Sequence, residues 1–112
     1  MASGADLRRL ALAMAGTEEA PHMDRAAFRV ARIYATLAAD GLSANLKFSP
    51  EDQALKCMTH PEAFSPVPGG WGRMGHTTVL LAVTEEELAA ALETAWRGAL
   101  PRRRPPGRAR RR

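Results

Sequence analysis

Two sets of residues in this chain are suited to chemistry, and both point to anions. Arg102, Arg103, Arg104, Arg108, Arg110, Arg111 and Arg112 fall in the last eleven residues, which hold no acid. Guanidinium groups bind phosphate through paired N–H donors and stay charged at any working pH. The run therefore reads as a sequence-independent ligand for DNA or another polyanion. If about five arginines engaged duplex DNA, the log–log salt slope would be about −4 to −5. A solubilising extension would have the same composition. Lys47, Trp71, Arg73 and His76 form the second set. A flat aromatic ring among cations can stack a base and hold its phosphate. The plainer alternative is that Trp71 plugs its loop onto the core and Lys47 simply faces water.

Other chemistries find little support. Cys57 and His60 lie three residues apart, with His22 and His76 elsewhere. Zinc needs about four convergent ligands, and no second paired motif is present. Cys57 reads as a small buried hydrophobe, and nothing recognisable orients His60 as its base. No catalytic residue, metal or cofactor is expected. The run from Gly69 to Gly75 has glycines like a phosphate loop but lacks the Lys-Ser/Thr pair, and it precedes a strand instead of a helix. Its glycines are expected at positive φ. Glu18, Glu19 and Glu85 to Glu87 belong to a solvated connection and a helix start, not to an acid–base pair.

The net charge of +4 divides sharply along the 112 residues. Residues 1–100 hold nine of the sixteen Lys/Arg and all twelve Asp/Glu, so this part is about −3. The expected organisation is one domain over 1–100 and a disordered arginine-rich tail over 101–112, because the tail has no residue able to pack. The basicity of the whole chain is thus an argument about the tail. The single cysteine excludes an intrachain disulfide, which fits a reducing compartment. The first residues lack a basic signal region, and no apolar run approaches the ~18–20 residues of a membrane span. A cytoplasmic monomer without membrane contact is expected. Fourteen of the sixteen basic residues are arginine, a composition that fits a GC-rich bacterial genome.

The elements that must position these residues follow from periodicity. Leu7, Leu10, Ala11 and Met14 make one face of a helix over Asp6 to Ala15, capped by Ser3 or Asp6 and stopped by Gly16. Residues 17–24 read as polar connection. Phe28 to Leu37 is strand-like, with its phase broken at Ala31-Arg32 by a bulge or a tight turn. Leu42, Ala44, Leu46 and Phe48 alternate with Ser43, Asn45 and Lys47, giving a half-buried strand. Ser49-Pro50-Glu51-Asp52 starts a second helix, with Leu55 and Met58 expected inward. Residues 62–75 read as one long loop, and Thr77 to Val83 as a strand. Thr84 and Glu87 form a capping box into a third helix, with Leu88, Ala91, Leu92, Ala95 and Trp96 inside. This order gives an α+β fold with about four antiparallel strands and about three helices.

Three blocks, taken together, resemble the MmcQ/YjbR family of small bacterial proteins. They are Phe28-Arg-Val with Ile33-Tyr-Ala-Thr-Leu, Leu46-Lys-Phe-Ser-Pro-Glu51, and the stretch from His60-Pro-Glu to Thr78-Val-Leu80. Glu86-Glu-Leu and Ala95-Trp-Arg near the end add to them. The resemblance spans about residues 3 to 101 and implies an antiparallel α+β fold compared with the double-wing DNA-binding domains of phage transcription factors. It implies DNA binding without catalysis, by analogy of fold. The alternatives are a protein-interaction module using the loop around Trp71, or an uncharacterised enzyme. Two departures matter. The Gly-Lys type of turn after the Phe-x-Val strand is reduced here to Ala31-Arg32. The aromatic common at the entrance of the last strand is replaced by Gly75-His76, with Trp71 inside the loop instead.

Overall fold

The structure is a computed structural model and describes residues 1–101. In chain order its elements are helix α1 (Gly4–Leu12), strands β1 (Glu18–His22), β2 (Arg25–Arg29), β3 (Ile33–Leu37) and β4 (Ser43–Lys47), helix α2 (Pro50–Thr59), strand β5 (Phe64–Pro66), the short helix α3 (Gly70–Arg73), strand β6 (His76–Leu80) and helix α4 (Glu85–Ala99). The strands make one antiparallel sheet in the order β1-β2-β3-β4-β6-β5. The α+β class is the one expected from sequence. No helix among the described residues is long and apolar enough to cross a membrane.

Local signals fix the long helices. Ser3 and Asp6 form a capping box at the start of α1, and Thr84 and Glu87 form another at the start of α4. Each satisfies backbone N–H groups that the first helical turn leaves without partners. Leu7 and Ala11 of α1 are buried, as are Leu88, Ala91, Leu92 and Ala95 of α4. Trp96 seals the seam between the helices, its indole N–H donating to the Ala15 carbonyl at 3.0 Å. Two cross-strand rows meet this helical layer. One runs Phe28, Ala35, Leu46, Thr77; the other runs Ala26, Leu37, Ala44, Val79, Phe64. Because strand side chains alternate between faces, the intervening row of Ala27, Thr36, Asn45, Thr78 and Ser65 faces away from the helices.

The sheet is wider than expected. Residues 17–24 contain β1, and the supposed long loop of 62–75 contains both β5 and α3. The reasons are physical. Every residue of β1 is exposed, so the strand carries no apolar alternation, and Pro21 is tolerated because β1 is an edge. β5 is only three residues long and ends in Pro66 at the other edge. The phase break in Phe28–Leu37 is a tight hairpin over residues 30–32 with a register shift beside Phe28 and Arg29. Leu55 and Met58, expected inside, are exposed on α2, which buries no residue fully. Leu42 is also exposed, because β4 begins only at Ser43.

Candidate nucleic-acid interface

Three of the four residues of the inner set form a chain of neighbours. β4 and β6 pair in a register that sets Lys47 opposite His76. The Trp71 ring meets the His76 ring edge-on, with centroids 5.2 Å apart. Arg73 lies two residues beyond Trp71 on α3 and is exposed. Trp71 does not plug the loop onto the core: 63% of its surface is open to solvent. It still reaches His76 at the entrance of β6. Arg102, Arg103, Arg104, Arg108, Arg110, Arg111 and Arg112 lie outside the described residues.

Glycines and one amide hold this arrangement. A side chain at Gly72 would place Cβ 1.9 Å from the Val67 carbonyl oxygen, and one at Gly75 would meet the Phe48 oxygen at the same distance. Gly75 also has φ of +105°, which favours glycine. Positive φ was expected of the glycines here; Gly69 and Gly75 show it, whereas Gly72 is required by close approach. Gln53 reaches across from α2, its amide donating to the Gly72 carbonyl at 2.9 Å, the His76 carbonyl at 3.1 Å and the Thr77 hydroxyl at 3.1 Å. That single side chain ties α2, α3 and β6 together.

Around this cluster the sheet face away from the helices is mostly polar, with the cations Arg25 and Lys47 and the acid Asp24. Arg25 donates from Nε to the Thr36 hydroxyl at 2.9 Å, and Thr78 donates to the Asn45 side-chain oxygen at 2.9 Å. A hollow of about 340 Å³ lies over Arg25, Thr36, Asn45, Lys47 and His76. A groove of about 810 Å³ shares Lys47 and His76 with it and runs past Arg32 to Gly98 and Ala99 at the end of α4. Arg32 spans that end by donating to the Gly98 carbonyl at 3.0 Å. Arg25 and Arg32 escaped the sequence reading. The available signal for Arg25 was the residue alternation of β2 once paired, and for Arg32 the position of the tight turn.

Charge is unevenly spread over the domain. The acids of α1, α4 and β1 hold the nearby arginines: Arg8 pairs with Glu19 at 2.9 Å, Arg9 with both Asp6 and Glu85, and Arg97 with Glu93 at 2.6 Å. Among the described residues, Arg25, Arg29, Arg32, Lys47, Lys56 and Arg73 make no such pair within 4.0 Å. The slight negative charge of the domain thus coexists with unpaired cations, of which Arg25 and Lys47 line the hollow on the sheet. Burial first, and Lys47 second, hold the His76 imidazole below its ordinary value. His76 is consequently neutral near pH 7 and serves as a flat polar ring, not as a further cation.

Elsewhere the chemistry is sparse. Burial pushes the Cys57 thiol up, which leaves little thiolate near neutral pH. His60 packs on the Phe64 ring and lies 3.6 Å from Glu87. Among the described residues no group of three or more His, Cys, Asp and Glu is arranged to hold a metal ion.

Comparison with known proteins places these features in context. A family model described as YjbR matches residues 12–98, a span that holds Arg25, Arg32, Lys47, Trp71, Arg73 and His76 but not the arginine run. No curated protein matches. Among solved structures, the chain is similar to the Deinococcus radiodurans protein DR2400, a crystal structure described as domain DUF419. The two share 26% identity and a TM-score of 0.69, over 85% of this chain and 76% of that one.

Proposed function

The chain belongs to the YjbR family, and on that premise we propose that it is a non-catalytic DNA-binding module. Phosphates sit on the uncovered sheet face, and the arginine run after Pro101 is a sequence-independent electrostatic anchor. The observation that carries this reading is the segregation of charge. Arginines on the helical side are neutralised by acids, while Arg25, Arg32, Lys47 and Arg73 keep their charge for a ligand. The groove lined by Arg32 and Lys47 ends at Gly98 and Ala99, so the chain departs toward its arginine run from the rim of this same groove. Among the described residues no helix or loop gathers side chains for reading base edges, and the proposal includes no sequence preference.

A second reading, a protein-interaction module, draws on one specific observation. Trp71 and Met74 are both large, apolar and exposed on the α3 segment.

The test is binding of random-sequence DNA, as duplex and as single strand, by the full chain and by a chain ending at Pro101. Each is measured at about 50 and 200 mM salt, the range over which phosphate contacts lose most affinity. Both proteins are expected to bind, the shorter one with the shallower salt dependence. Loss of all binding on shortening would reduce the function to the arginine run. No binding of either DNA form by either protein would remove the DNA reading and leave the interaction module.

A further inference from the structure

Resting on the DNA-binding reading, we infer that the ligand of the sheet face is single-stranded nucleic acid, with one base stacked on Trp71. The shape of each exposed element argues for this. A duplex major groove admits a helix or a two-stranded ribbon. The helices here present acids: Glu85, Glu86, Glu87 and Glu93 on α4, Glu51 and Asp52 on α2. The ribbon of β1 and β2 carries Glu18, Glu19 and, at its turn, Asp24 against Arg25 and Arg29, with Glu19 already paired to Arg8. None of α2, α4 or this ribbon carries a surplus of positive charge, and the arginines of α1 are already paired with acids.

Arg25 and Lys47 lie on the broad face instead. From β2 across to β5 that face is about 19 Å wide at the ~4.8 Å strand spacing. Its floor is a row of small residues, Thr36, Asn45, Thr78 and Ser65, with Arg25 lying on Thr36 and Met23 and Ile33 at the rim of the hollow. A flat floor suits unstacked bases and gives no purchase on a rigid cylinder. Trp71 stands at one margin, its ring perpendicular to that of His76 and 63% of its surface open to solvent. Lys47 lies across from His76 on β4, and Arg25 lines the same hollow as both. An exposed aromatic platform with flanking cations is the arrangement by which single strands bind without regard to sequence.

The experiment uses the full chain and labelled twelve-nucleotide probes: oligo-dT, oligo-U and a random duplex of equal length. Fluorescence anisotropy is read near 200 mM salt, where phosphate attraction is weakened and stacking persists. The single strands are expected to bind more tightly than the duplex. Trp71→Ala should weaken the single strands roughly 5- to 150-fold, the loss of one stacked base, and the duplex less than about twofold. Trp71→Phe should recover part of the loss, and Leu55→Ser, on the outer side of α2, should change neither. Thermal melts confirm folding; since Trp71 is largely exposed, its loss should leave the melt nearly unmoved. Equal loss for duplex and single strands, or no loss for either, would overturn the single-strand assignment while leaving DNA binding in place. Absence of binding to every probe would sink both. A gap between oligo-dT and oligo-U assigns the strand to DNA or RNA, and either supports the inference.

Discussion

Gln53 should control both the stability of the domain and the placement of Trp71. Its amide has two N–H groups facing three acceptors on α3 and β6. Gln53→Ala removes about two net hydrogen bonds, each worth about 1 kcal/mol. The stranded carbonyls add little, because Gly72 keeps the Gly75 N–H at 3.0 Å and His76 keeps the Val67 N–H at 2.9 Å. The cost is therefore about 2 kcal/mol, a fall of roughly 8 °C in Tm for a domain of this size. Gln53→Glu has the same shape but the opposite character. At neutral pH a carboxylate would face two carbonyl oxygens and a Thr77 hydroxyl already donating to the Gly75 carbonyl, adding at least about 1 kcal/mol to the loss. Protonation restores one O–H donor, so the folded pKa of this glutamate must lie above its unfolded value of about 4.3. Its contribution is whole below that value and lost as pH rises through the folded one. The deficit of Gln53→Glu relative to the native chain should thus be smallest near pH 4 and grow toward pH 7. Urea unfolding followed by circular dichroism at several pH values reads this directly. If Gln53→Glu is no worse than Gln53→Ala at pH 7, the amide is not acting as a donor and the reasoning fails.

Two further outcomes are expected. Gly75→Ala should cost about 3 kcal/mol or more, from backbone strain joined to the collision with the Phe48 carbonyl, whereas Gly41→Ala, at φ of +72° but in open space, should cost only about 1 kcal/mol. Chemical denaturation of the two variants decides this, and equal costs would refute the close approach. The lowered pKa of His76 means the unfolded chain takes up its proton more readily than the folded one. Stability from this group is whole above about pH 6.5 and lost as pH falls through that value toward the folded pKa. His76→Gln should flatten the dependence of unfolding free energy on pH between about 5 and 7; an unchanged slope would show that His76 is not held below its ordinary value.

The legible parts of the fold were those written in local sequence. The capping boxes of α1 and α4 and the inner face from Leu88 to Trp96 need only neighbours within a few turns to declare themselves. β1 was illegible because an exposed edge strand has no apolar face to alternate. α2 misled in a different way. Leu55 and Met58 have the composition of a core face, but the helix sits at the margin of the sheet and turns the polar Gln53 inward as a tie. In the candidate site, residue types were readable and their proximity was not. Lys47 meets His76 through the long-range register of β4 and β6, and Trp71 meets His76 through the turn of α3. Arg25 was passed over because its role depends on which acids are already taken, a property of the whole surface.

Both outermost strands of the sheet contain a proline: Pro21 in β1 and Pro66 in β5. Proline offers no N–H, and beside it in β1 stand Glu18, Glu19 and His22. A sheet finished this way resists propagation, because an incoming strand would find an interrupted row of donors at one margin and only a three-residue edge at the other. Self-assembly by strand addition, the usual hazard of an open sheet, is thereby discouraged, and a concentrated solution of this protein should stay clear of fibrous aggregates. A partner strand is thus turned away from both margins, and the broad face between them carries Arg25 and Lys47.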